Sequence, residues 1–378
     1  MPTLDGKQLK IREYTIFDGN KGWKWENAVY RLVCGAWLAE GSHGELICNW
    51  LTGTDGEPSA DNCSVFSVSH DGGMTWTQPQ MLVPPDSDPG SAWIFGVKDK
   101  LISLNARWPL EEQYTVWHYT RSQSLDMGKT WSKETPISFT EREDMSASFG
   151  QLIRSADGRY LCCGTTFEKR ANPPRAGVER LAFAKTEEEA AAMEPRYEYE
   201  TDPYVFARVR IGSAVFETDE ELTFFHMLGG VNNRPLGLLE PTLIELKDGR
   251  LVMLMRAEWG GFLWRADSWD GGKTWCDAYQ TDIPDPTSMA KLIRVPDGRI
   301  VLIHNNCGGV IGKRPPLREP LSIWVSDDEM ESWYIKEDIL TGGNLAYPST
   351  LILQDGRLVF VYDRNRREAR FVEVILPE

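Results

Sequence analysis

The chain has 378 residues and a formal net charge of −15, with 56 acidic side chains against 41 basic ones. That balance argues against nucleic acid and anionic membranes as partners, because both require a basic face. No apolar run approaches the ~20 residues of a membrane span, and MPTLDGKQLK at the start lacks the apolar core of a signal peptide.

The expected location is therefore the cytoplasm, or a secreted or periplasmic one if the N-terminus was trimmed. The seven cysteines are odd in number and form no C-x-x-C pair. They read as buried thiols rather than a disulfide framework. The five histidines are scattered, so neither a metal nor an organic cofactor is expected.

In chain order, a first β-prone run, KIREYTIF at 10–17, is followed by six hairpin signals. These are HGELICNW (43–50), KDKLISLNA (98–106), DGRYLCCG (157–164), DGRLVMLM (248–255), DGRIVLIH (297–304) and DGRLVFVY (355–362). Asp-Gly ahead of aliphatic and aromatic residues is a strong hairpin signal. Further β runs precede several of the turns: TLIEL at 242–246, AKLIRV at 290–295 and STLILQ at 349–354.

Between the hairpins runs a second pattern, S-x-D-x-G-x-x-W. It occurs as SHDGGMTW (69–76), SLDMGKTW (124–131) and SWDGGKTW (268–275), and in SDDEMESW (326–333) with Met330 in place of the glycine. Serine and aspartate side chains bond the N–H groups of a tight turn, and glycine supplies the positive φ. The tryptophan can then pack between sheets. Asp71, Asp126, Asp270 and Asp328 are accordingly read as structural.

The hairpin signals recur about every 50 to 60 residues, apart from one wide interval. Four antiparallel strands at this period point to an all-β, six-bladed β-propeller in one domain spanning 1–378. The wide interval predicts an insertion around residues 170–238, including the helix-prone TEEEAAAMEP at 186–195. A degenerate seventh blade on 204–229 is the alternative. ARFVEVIL at 369–376 is expected to pair with the first run and close the ring.

The repeated pattern is the Asp-box, or bacterial neuraminidase repeat, and the chain resembles the sialidase superfamily over nearly its whole length. The resemblance implies retaining hydrolysis of a terminal acidic sugar, sialic acid or a relative, by an exo-glycosidase with a carbohydrate as its partner. In EPTLIELKDGRLVMLMR, Glu240 and Arg256 stand where the family has its catalytic glutamate and one carboxylate-binding arginine. The Asp-Gly hairpin would bring the two together, whether for chemistry or simply to tie two strands.

Tyr347, in NLAYPST, stands where the nucleophilic tyrosine does. A neutral phenol avoids the repulsion that a carboxylate nucleophile would meet at an anomeric centre bearing a carboxylate. Its ordinary pKa of ~10 calls for a nearby base, a role for Glu240. Arg318 matches the third arginine, with Arg314 as the alternative.

The acid/base position falls in GTDGEPSADN (53–62), on Asp61, with Glu57 and Asp55 in reserve. The first arginine of the family pattern is missing: counting back from Gly44 reaches Val33-Cys34-Gly35-Ala36, and the nearest candidate is Arg31. That departure implies weak activity on plain sialosides. Arg107, Trp108, Glu168, Asn305, Asn306 and Arg364 are further candidates for shaping a sugar site. The alternatives are a hydrolase or lyase for another uronic, ulosonic or deoxy sugar, and a glycan-binding propeller without catalysis.

Overall fold

The computed structural model describes residues 9–57, 59–85, 88–108, 117–139, 145–169, 209–231, 237–257, 260–309 and 317–377. Their strands form six sheets arranged as the blades of a β-propeller, antiparallel apart from a short parallel strand, Ser138–Phe139, on the third, together with a separate small hairpin of Trp23–Trp25 and Ala28–Tyr30. Blade 1 runs Cys34–Glu40, Leu46–Thr52, Cys63–Ser69 and Gln80–Val83, from the axis outwards. The other blades repeat this meander, with inner strands at Gly90–Val97, Met145–Arg154, Leu238–Glu245, Lys291–Arg294 and Leu345–Ile352.

The ring closes as the terminal runs predict. Lys10–Asp18 is the outer strand of blade 6, pairing from Lys10↔Ile375 to Asp18↔Glu368. The wide interval resolves differently from the expectation of an insertion over 170–238. Val209–Thr218 and Phe224–Val231 are the third and fourth strands of blade 3, following Tyr160–Lys169 in the same sheet. Neither a seventh blade nor the whole interval is inserted, and 186–195 lies outside the described residues. The hairpin was illegible because its partner strands are separated by 39 intervening residues, from 170 to 208.

Apolar clusters fill the wedges between blades. One combines Trp50 and Val65 of blade 1 with Val361 and Phe371 of blade 6, all buried. The Asp-boxes staple these wedges. In the first, Ser69 Oγ donates to Asp71 Oδ1 at 2.9 Å, and Asp71 accepts from the Thr75 amide at 2.9 Å and its hydroxyl at 2.5 Å. Asp126, Asp270 and Asp328 repeat the grip on Thr130, Thr274 and Ser332.

These side-chain and backbone bonds hold all four carboxyls at about 2. The tryptophans reach to the preceding blade: Trp76 lies 5.8 Å from Phe371 and Trp131 lies 6.0 Å from Phe66, centre to centre. Met330, where glycine was expected, adopts φ +70. A further grip had no sequence signature beyond Thr218-Asp219: the Asp219 carboxylate accepts from the Thr223 amide at 2.8 Å and its hydroxyl. Every one of these turns joins a third to a fourth strand, so alternation puts them on the face opposite the start of the inner strands.

Candidate active site

The inner strands of blades 1, 4 and 6 break register at the same place. Pairing skips from Cys34↔Leu51 to Trp37↔Asn49, from Leu239↔Arg256 to Thr242↔Leu254, and from Ala346↔Asp363 to Ser349↔Val361. In each case two residues oppose one, which is a β-bulge.

The first residue of each bulge is left-handed: Gly35 at φ +62, Glu240 at +49 and Tyr347 at +57. Glycine takes this conformation freely, whereas an L side chain costs about 1–2 kcal/mol. Strain held at equivalent positions on an axial face is the kind that accompanies function.

These bulges open into a cleft of about 430 Å³ to which all six blades contribute. Tyr347 lies there between two guanidinium groups, with Arg318 Cζ 5.2 Å and Arg366 Cζ 5.7 Å from its ring centre. Arg256 is 5% exposed and is fixed twice. It donates to Glu240 Oε2 at 2.6 Å and, through Nε, to Thr287 Oγ1 at 2.9 Å.

Arg318 is fixed through its backbone. Its amide donates to Asn344 Oδ1 at 3.1 Å, and its carbonyl accepts from Asn305 Nδ2 at 2.8 Å and the Leu345 amide at 3.1 Å. Its Nη1 is buried with no hydrogen-bond partner among the described residues, which leaves a donor of the fork to offer an anion.

Arg366 was not foreseen. It sits in the turn between Leu358–Arg364 and Glu368–Ile375, donating to Cys34 Sγ at 3.3 Å and forming an ion pair with Glu57. The bulge of blade 1 carries only Gly35, and an arginine from the neighbouring blade fills the space beside it. Counting along the first blade could not find a residue supplied by the last.

Of the other sequence candidates, Glu57 and Trp108 line the cleft. Asp61 does not: its Oδ2 accepts from the Thr54 amide at 2.7 Å within its own loop. Burial works against its ionisation, but the bonds from Ser59 and Thr54 outweigh it and hold the carboxyl low. Asp55 is 94% exposed and faces Arg367. Arg31 is turned to the Asn20 carbonyl at 2.9 Å, away from the cleft, because its own amide is pinned to Gly53. Arg107, Glu168, Asn306 and Arg364 do not line the cleft, and Arg314 lies outside the described residues.

Facing the arginines of blades 4, 5 and 6 is an aromatic wall from blades 2 and 3. Trp108 and Trp117 lie 5.1 Å apart, and Trp117 stacks on Phe167 at 5.6 Å. One side of the cleft suits a carboxylate and the other suits the apolar face of a ring.

Two buried carboxyls stand behind the arginines. Asp285 accepts from the Thr287 amide at 2.9 Å and the Ser288 amide at 3.1 Å, and Asp363 accepts from the Gly35 amide at 3.4 Å. Burial pushes both up to about 7, against the pull of Arg256 and Arg318 on Asp285 and of Arg366 and Arg318 on Asp363. Between the ordinary 3.8 and about 7, the folded state holds protons that the unfolded chain has released. Stability should therefore fall as pH rises through this window. The Asp-box carboxyls, at about 2, stay ionised throughout it. Melting temperatures from pH 5 to 8 should decline in the native protein, and more shallowly in Asp285→Asn and Asp363→Asn. Identical slopes in all three proteins would refute the assignment.

Residues 44–360 match the BNR repeat-like domain family. No curated protein matches the chain. Among solved structures, a protein of unknown function from Dyadobacter fermentans DSM 18053 is similar at TM-score 0.67 and 14% identity, over 99% of this chain and 100% of that one. The Hadza microbial sialidase Hz136 is similar at TM-score 0.65 and 14% identity, over 92% of this chain and 65% of that one. The NanB sialidase from Streptococcus pneumoniae, as its K499G mutant, gives TM-score 0.60 and 13% identity over 100% and 71%. These likenesses establish the sialidase-type propeller fold. With the family match spanning most of its length, the chain belongs to the BNR repeat-like domain family.

Proposed function

We propose that the chain is a retaining exo-glycosidase for a terminal acidic sugar, with Tyr347 as its nucleophile. The observation that carries this reading is a left-handed tyrosine at a bulge position, set in a cleft among three arginines. Arg256, Arg318 and Arg366 bind the sugar carboxylate, each fork offering two parallel donors. Glu240, bonded to Arg256, takes the phenolic proton as the Tyr347 oxygen attacks the anomeric carbon.

In the same displacement Glu57, rather than Asp61, freed from Arg366 and protonated from solvent, gives that proton to the leaving oxygen as the glycosidic bond breaks. In the second step it takes a proton from water, whose oxygen displaces the tyrosine and restores the starting configuration, while Glu240 returns its proton to the departing phenolate. Glu57 is paired with Arg366 in the free protein. A substrate carboxylate competes for that arginine and so releases Glu57 for proton transfer. Binding and activation are thus coupled through one ion pair.

Release of free sugar from a panel of synthetic glycosides tests this reading. The panel comprises a sialoside, its deaminated analogue, uronic-acid glycosides and neutral hexosides. Turnover should be confined to the acidic members, with an acidic sugar other than plain sialoside preferred, because Arg366 enters from blade 6 rather than blade 1. Turnover of neutral hexosides at a comparable rate would overturn it. Binding of acidic members without release would leave a glycan-binding propeller as the function.

A further inference from the structure

A second cavity, of about 840 Å³, occupies the axis on the other side of the inner strands and opens on the Asp-box face. All six inner strands line it, and Trp37 belongs to both cavities. Trp37 is therefore the partition between them and marks the blind end of the channel. Lys291 lies at that end, 2% exposed, with its Nζ 5.1 Å from the Trp37 ring centre and no hydrogen-bond partner among the described residues. Burial pushes its ammonium down from the ordinary lysine range.

An ammonium enclosed in the core is costly unless an anion accompanies it. The charge of Glu240 in the neighbouring cleft is felt at Lys291, but among the described residues no carboxylate bonds its Nζ. Glu40 and Glu245 sit towards the mouth, where they accept from the Gln354 amide at 2.9 Å and the Ala156 amide at 2.6 Å. The mouth also carries Lys98, Arg154, Lys247 and Arg294, of which Lys98 is paired with Glu220 at 2.6 Å, and Lys247 and Arg294 with Glu329 at 3.2 and 2.7 Å. Between mouth and lysine the wall of the throat is largely aliphatic, with the half-buried Leu152, Ile153, Ile293, Leu351 and Ile352, and it also includes Gln151, Ser349 and Thr350.

We propose that this channel is a second binding site, for a monocarboxylate with a short apolar tail, its head on Lys291 and its tail in the aliphatic throat. A single donor at the blind end suits a monoanion, since a doubly charged phosphate would lose far more hydration than one ammonium returns. The unbranched lysine stem can swing its ammonium from the Trp37 face to the carboxylate. The aliphatic ring then selects for tail length. The site is separate from the Tyr347 cleft and does not depend on the function assigned to it.

The test is calorimetric titration of the intact protein with acetate, butyrate and hexanoate, with hexanol as the neutral control. Affinity should rise roughly fourfold per methylene, hexanol should not bind, and Lys291→Met should weaken hexanoate at least tenfold. Lys291→Arg should retain binding, and Arg366→Ala, which alters only the opposite cleft, should leave it intact. Crystals soaked in 6-bromohexanoate should show the bromine's anomalous signal beside Ile293 and Leu351, a readout independent of any variant. Binding unchanged in Lys291→Met, binding abolished by Arg366→Ala, no binding by the native protein, or bromine located only in the cleft would each overturn the proposal.

Discussion

Tyr347→Phe is expected to lower kcat on the best acidic glycoside by roughly 10³-fold or more, while the affinity for the free sugar stays within about twofold. The substitution removes one oxygen and keeps the ring, so the stacking of Arg318 and Arg366 around it should survive. The bulge and its left-handed φ belong to the backbone and should also persist. What disappears is the atom that forms the covalent intermediate. Rapid-quench kinetics on the native protein should show a burst of leaving group, and the variant should show none. A variant that keeps its kcat would remove tyrosine from the mechanism, whatever the cleft binds.

Arg366→Ala should cost the next largest amount, and in a different parameter. A hydrogen bond to a charged group contributes about 1.5–3 kcal/mol, so losing this fork predicts roughly a 10- to 150-fold fall in kcat/KM. Most of it should appear in KM if the arginine holds the carboxylate equally in ground and transition states. Arg366→Lys should fall between the two, retaining charge but not the planar fork.

Because Arg366 also pairs with Glu57, the cycle with Glu57→Gln is informative. The two losses should be clearly non-additive if one ion pair links binding to proton transfer. Additive losses would dissolve that link. A specificity constant for Arg366→Ala near the native value would show that the carboxylate rests on Arg256 and Arg318 alone.

The propeller was legible because its signals are local. An Asp-Gly turn between β runs, and a Ser-Asp-Gly-Trp turn after them, each declare their structure within eight residues. Glu240, Arg256 and Tyr347 were legible for the same reason, lying at fixed distances from their own hairpin glycines. Blade 3 was misread where 170–208 separates two paired strands in the sequence, too far apart for a short turn signal to join them. Asp219 keeps the carboxylate grip of an Asp-box without its glycine or tryptophan, and only the coordinates reveal it.

Arg366 was missed for a deeper reason. It reaches the cleft from a turn 331 positions after Gly35, and no pattern within blade 1 refers to it. Asp61 drew attention through its position, but the loop folds its carboxylate back on Thr54 and offers Glu57 instead.

The pairing of Lys10–Asp18 with Glu368–Ile375 also governs the order in which the chain can fold. Lys10 is synthesised long before its partner Ile375. Blades 1 to 5 can assemble as they appear, while Lys10–Asp18 waits as an unpaired edge until Glu368–Ile375 has been made. Contacts so distant in sequence close slowly, and an exposed strand in that interval is open to pairing with a neighbouring chain. The residue alternation of KIREYTIFD answers this hazard: the exposed Lys10 and Arg12 place charge along the waiting edge, whereas Glu13 is held in the closed ring by Arg370 and Tyr362. Conversion of Lys10 and Arg12 to threonine should leave the closed ring near its native stability and yet lower the yield of soluble protein, since the penalty falls on the nascent chain and not on the finished one.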